Sequence, residues 1–96
     1  MCGIYTTNLA FSKKEIKKKL KSIEFRGPDY TGVLQIDRVS FGHLRLSILD
    51  LDERSNQPMV FDNYTMVFNG EIYNFKDIKK ELISLGHTFH TTGDTE

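Results

Sequence analysis

The chain has one cysteine, at position 2 in Met1-Cys2-Gly3. Removal of Met1 would leave a thiol and a free α-amine on one residue, two groups that titrate within about two units of neutrality. An N-terminal amine that takes the proton of its own side chain is one way to activate a nucleophile. A buried or incidental cysteine is the plainer alternative, and position alone does not separate the two. Arg45 stands inside an apolar run, Leu44-Arg45-Leu46-Ser47-Ile48-Leu49. An arginine there either reaches solvent at a strand end or binds an anion, and its planar fork matches a carboxylate. Phe68-Asn69-Gly70-Glu71 follows a β-prone run. Asn-Gly is a hairpin-turn signal, but an Asn amide and a Gly N–H can also hold the negative charge that develops in acyl transfer. Spacing fits both. Glu71 and Asp94 are carboxylates beside glycines, where turn chemistry also explains them.

The three histidines, His43, His87 and His90, do not make a metal site. His87 and His90 would point to opposite faces of a strand, and zinc asks for further ligands than Cys2. No Gly-x-x-x-x-Gly-Lys-Ser/Thr loop is present, so nucleotide binding has no support. Thirteen Lys and Arg balance thirteen Asp and Glu, so no whole-molecule field recruits nucleic acid or an anionic membrane. No apolar stretch nears the roughly 20 residues of a membrane helix, and no secretion signal is apparent. A single cysteine fits a reducing cytosol, and Asn63-Tyr64-Thr65 is discounted as a glycosylation acceptor for the same reason.

These residues need elements to position them. Gly3 to Leu9 is β-prone and carries Cys2 at its start. Ser12-Lys13-Lys14-Glu15 reads as a capping box, followed by an apolar helical stripe of Ile16, Leu20 and Ile23. The lysines between occupy a solvated face, and Arg26-Gly27-Pro28-Asp29 stops the helix. Val33–Ile36 and Val39–Leu46 flank Asp37-Arg38 as an antiparallel hairpin. Leu51–Gln57 is a loop ended by Pro58, and Met59–Phe61 and Tyr64–Phe68 form a second β pair about Asp62-Asn63. Asn74 caps a second helix with the stripe Ile78, Leu82, Leu85 and the stop Gly86. His87 to Thr92 alternates as a last strand. The order predicts an α+β domain with largely antiparallel sheets, and its end after a polar turn reads as half of a larger unit.

Six motifs then stand in a recognisable order: Cys2-Gly3-Ile4, Arg26-Gly27-Pro28-Asp29, Gly42-His43-Leu44-Arg45-Leu46-Ser47-Ile48, Asn56-Gln57-Pro58, Phe68-Asn69-Gly70-Glu71-Ile72-Tyr73-Asn74 and Gly93-Asp94-Thr95-Glu96. Over its whole length the chain resembles the glutamine amidotransferase domain with an N-terminal cysteine nucleophile, most closely that of glutamine-hydrolysing asparagine synthetases. Pro28, Leu46-Ser47-Ile48, Gln57-Pro58 and Ile72-Tyr73-Asn74 favour that subfamily over amidotransferases that make glucosamine 6-phosphate or phosphoribosylamine. The resemblance implies a four-layer sandwich of two antiparallel sheets between helices, of which residues 1–96 are the first half. It implies glutamine hydrolysis to glutamate and ammonia through a Cys2 thioester, with Asn69 and Gly70 holding the oxyanion. Arg45 would grip the glutamine α-carboxylate, Leu46, Ser47, Ile48 and Leu49 would wall the pocket, and Glu71 and Asp94 would bind the α-ammonium. No cofactor or metal serves that step. ATP and magnesium belong to a synthetase domain, normally in the same chain and absent here, that amidates aspartate in the cytoplasm. Gly93 departs from the usual serine. A silent glutamine-binding or interaction fragment, an amidotransferase with another acceptor, and self-association into a homo-oligomer are the alternatives and additions this reading carries.

Overall fold

A computed structural model describes all 96 residues. Strand β1 (Gly3–Thr7) leads to helix α1 (Lys13–Lys21) and a 3₁₀ turn at Glu24–Arg26. Strands β2 (Tyr30–Ile36) and β3 (Val39–Arg45) follow, then a second 3₁₀ turn at Glu53–Ser55. The short pair β4 (Met59–Phe61) and β5 (Tyr64–Met66) precedes helix α2 (Phe75–Ser84). Both sheets are antiparallel: three strands in the order β1-β3-β2, and the β4-β5 hairpin. The α+β class is therefore observed.

The local chemistry explains these elements. The Ser12 hydroxyl accepts the Glu15 N–H at 3.2 Å, and the Ser12 N–H donates to the Glu15 carboxylate at 2.7 Å, so the capping box is closed. Ser12→Ala is expected to lower stability by about 0.5–2 kcal/mol, read from urea denaturation; an unchanged midpoint would mean that packing alone holds α1. Asp37 and Asp62 take positive φ (52° each) at the two hairpin turns, the backbone state that Asp tolerates better than most residues. Gly86, at φ +96°, ends α2 in a conformation that suits glycine.

Strand alternation divides the sheet into two faces. One meets α1: Ile16 and Leu20 are fully buried against Leu44, with Tyr5, Phe11, Ile23 and Val33 around them. The lysines of α1 are all exposed. The other face carries His43 and Arg45, and Cys2, just before β1, continues its alternation opposite Arg45 (Gly3 pairs with Leu44). The loop through Gln57 lies directly on this face. A Cβ at Gly32 would stand 1.9 Å from the Gln57 carbonyl oxygen, so only glycine lets that segment seat there.

Two expectations need correction. His87 to Thr92 is not a strand. No strand lies alongside it, and side chains take its backbone N–H groups: Glu96 accepts from His90 and Thr91, and Asp50 accepts from Thr92 at 2.7 Å. Asn74 immediately precedes α2, but its side chain makes no cap bond, because its backbone (φ −97°, ψ 23°) is not extended as a capping residue requires. Of the four implied layers, residues 1–96 supply α1 packed on the three-stranded sheet, in keeping with a first half. Helix α2 buries none of its residues, and its stripe is largely open, with Ile78 40% and Leu85 70% exposed.

Candidate active site

Cys2 is half-buried where the site face begins. Its sulfur accepts the Leu46 N–H at 3.3 Å and faces the Leu46 carbonyl at 3.8 Å, so the residue after β3 aims it. The segment Arg26-Gly27-Pro28-Asp29, a helix stop and a family motif in the sequence, also fixes this corner. Arg26 Nε donates to the Cys2 carbonyl at 3.0 Å, and the Asp29 carboxylate accepts the Ser47 N–H at 2.7 Å. Asp29 N–H donates to the Arg45 carbonyl at 3.0 Å.

A cavity of about 330 Å³ opens beside Cys2. That volume lies at the lower end of the range of small-molecule sites, roughly 300–1,000 Å³. Its lining includes Arg45, Leu46, Ile48 and Leu49 together with Asn69, Gly70, Glu71 and Asp94. The structure thus brings together every site residue read from sequence except Ser47, which is not on the cavity wall. The Ser47 backbone N–H is held instead by the Asp29 carboxylate. Met1, 72% exposed, lies on the cavity rim.

Arg45 is 6% exposed. One terminal nitrogen donates to the Asp52 carbonyl (2.9 Å) and Asn56 Oδ1 (2.8 Å), the other to the carbonyls of Leu49 (3.2 Å) and Asp50. Its fork therefore organises the loop 49–56, and Nε–H is the guanidinium donor outside that set. Asp50 ties the same loop to the chain end: its carboxylate accepts from Thr92 N–H, from Arg54 (3.0 Å) and from Ser55 (2.8 Å). The Thr92 N–H and the Arg54 guanidinium hold the Asp50 carboxyl well below the usual carboxylate range. Asp94 accepts the Ile72 N–H at 2.9 Å through one oxygen.

Two buried residues escaped the sequence reading as site members. His43, fully buried, places Nε2 3.3 Å from the Phe68 carbonyl. Gln57, 6% exposed, accepts the Phe68 N–H through Oε1 at 2.6 Å. Facing a carbonyl, Nε2 carries the proton, an assignment made from the network; Nδ1 is buried with no partner. Burial lowers the His43 pKa; the Phe68 carbonyl opposes that shift and the Arg45 charge adds to it. The unfolded chain therefore binds a proton first as pH falls. Stability from neutral His43 is complete above about 6.5 and declines as pH drops below it. A thermal melt at pH 5 is expected to lie below that at pH 7, and His43→Gln should flatten the difference; an equal slope in the variant would assign it elsewhere.

No three His, Cys, Asp or Glu side chains converge as metal ligands would, and no helix is long and apolar enough to cross a membrane. A cysteine at a strand end, a caged arginine and the Asn69-Gly70 segment thus lie around one small cavity. Among known proteins, the glutamine amidotransferase domain family matches residues 1–96. The chain belongs to that family. It is 39% identical over 105 residues to asparagine synthetase [glutamine-hydrolyzing] 3 of Bacillus subtilis (strain 168), covering 100% of this chain and 17% of that protein. Asparagine synthetase [glutamine-hydrolyzing] 1 of the same organism is 43% identical over 83 residues, covering 84% of this chain and 13% of the relative. A probable asparagine synthetase [glutamine-hydrolyzing] of Dictyostelium discoideum is 36% identical over 104 residues, covering 100% and 18%. The chain spans less than a fifth of these relatives.

Proposed function

We propose that the chain hydrolyses the side-chain amide of L-glutamine. The observation that carries this reading is the placement of Cys2, Arg45, Asn69, Gly70, Glu71 and Asp94 around one cavity of amino-acid size. With Met1 removed, the α-amine of Cys2 takes the thiol proton as sulfur bonds to the amide carbon. The carbonyl oxygen becomes an oxyanion held by the Asn69 amide and Gly70 N–H. The C–N bond then breaks, the ammonium returns its proton, and ammonia leaves a γ-glutamyl thioester. Water attacks that thioester, the S–C bond breaks, and glutamate is released.

The zwitterionic end of glutamine needs one cation and paired anions. Arg45 Nε–H, outside the loop set, meets the α-carboxylate; Glu71 and the free oxygen of Asp94 meet the α-ammonium. A site with buried polar partners rejects analogues that leave them unpaired. On this reading the ammonia serves aspartate amidation in the cytoplasm, by a synthetase part of the kind the longer relatives' names imply. ATP and magnesium belong on this reading to that synthetase part, and no step here uses them.

The test is ammonia and glutamate released in equal amounts from glutamine by the Met1-free protein. With Met1 retained on the cavity rim, the Cys2 nitrogen is a peptide amide and a second reading holds, a glutamine binder without turnover. Saturable glutamine binding with no ammonia would establish that reading instead.

A further inference from the structure

Phe68 lies two residues beyond the end of β5, where the sheet ladder no longer satisfies its backbone. Both of its polar backbone groups are nevertheless engaged, by buried side chains from the site face of the molecule. His43 Nε2–H meets the carbonyl, and Gln57 Oε1 takes the N–H. The Phe68 carbonyl shares a peptide plane with the Asn69 N–H, so holding it fixes the plane from which Asn69 projects. Gln57 reaches further: its Nε2 lies 3.5 Å from Thr95 Oγ1, beside Asp94. Gln57 itself is seated by the Gly32 gap described above. His43 accepts the burial of an unpartnered Nδ1 to stay there, a cost of the kind that packing alone does not explain.

We propose that His43 and Gln57 are positioning residues, which clamp the two polar backbone groups of Phe68 and so set the Asn69 amide and Gly70 N–H for oxyanion binding. This rests on the glutaminase reading. The clamp acts on a transition-state contact, so its loss lowers kcat and leaves KM for glutamine nearly unchanged. Misplacement of a catalytic group by about an ångström costs up to about 10²-fold.

Three variants test this in the Met1-free protein: Gln57→Met, His43→Leu, and His43→Gln, which retains a donor in reach of the Phe68 carbonyl. Gln57→Met and His43→Leu are expected to lower kcat about 10- to 100-fold with KM changed less than about 3-fold. His43→Gln should restore most of the His43→Leu loss. In an Asn69→Ala background, Gln57→Met should cost at least about 3-fold less than in the wild type, because one of the two groups it positions is gone. An undiminished loss in that background overturns the proposal and assigns both residues to packing. Amide hydrogen exchange gives a readout free of turnover. Exchange at Asn69 and Gly70 should rise at least about 10-fold in Gln57→Met, with α1 amides unchanged; unchanged exchange at 69–70 overturns the clamp. A wild-type protein that releases no ammonia overturns the glutaminase reading, and exchange alone then decides the clamp. If His43→Leu does not fold, Gln57→Met carries both readouts.

Discussion

On the glutaminase reading, Cys2→Ala is expected to reduce ammonia release from glutamine to background, a loss on the order of 10⁴–10⁶-fold, the scale seen when a covalent nucleophile is removed. The expectation follows from the geometry of one atom. The sulfur borders the cavity and its polar contacts are both with Leu46, so its removal deletes chemistry and little structure. Fold stability should change by less than about 1 kcal/mol, since a half-buried thiol contributes only a small apolar area. Glutamine binding should persist, because Arg45, Glu71 and Asp94 are untouched. Retention of Met1 should be as damaging as the substitution. The Cys2 nitrogen is then a peptide amide with no basic lone pair. A Cys2→Ala protein that releases ammonia at the wild-type rate would place the nucleophile elsewhere.

Arg45→Met, and nearly as strongly Arg45→Lys, are expected to lower stability by at least about 3 kcal/mol, since buried acceptors lose their donors. That is a large part of the roughly 5–15 kcal/mol that holds an ordinary domain folded. Four oxygens depend on the guanidinium: the carbonyls of Leu49, Asp50 and Asp52, and the Asn56 amide oxygen. A lysine offers three donors from one point and cannot span them. A melting temperature lower by about 10–25 °C is expected. Loss of glutamine affinity should accompany it. An Arg45→Lys protein with an unchanged melt and a raised KM would make Arg45 a substrate ligand alone, with the loop 49–56 held by other contacts.

The sequence made the local elements legible. Ser12 and Glu15 announced α1, Ile16 and Leu20 its buried stripe, and Asp37 and Asp62 the two turns. The cavity residues were legible through ordered motifs rather than through spacing, because Cys2 and Leu46, or Asp50 and Thr92, are more than forty residues apart. What stayed hidden was set by such distant partners. His87 to Thr92 alternates like a strand, but carboxylates from Asp50 and Glu96 hold its backbone. Asn74 is a good capping residue by type, yet its backbone angles withdraw the side chain. In the sequence His43 reads as a motif letter and a rejected metal ligand, and Gln57 as a motif letter. That both reach Phe68 depends on Gly32 admitting the Gln57 segment onto the sheet, which no local pattern encodes. Ser47 was included with its neighbours because a run of residues does not reveal which of them face the cavity.

The central claim is that these residues build a pocket that activates Cys2 toward glutamine. Intact mass spectrometry of the purified protein, before and after incubation with a diazo-ketone analogue of glutamine, tests it most directly. The untreated mass reports whether Met1 is removed. The predicted result is a Met1-free chain that gains one adduct, mapped to Cys2 and blocked by excess glutamine. A Met1-free chain that gains no adduct, or one that excess glutamine does not block, would contradict the claim.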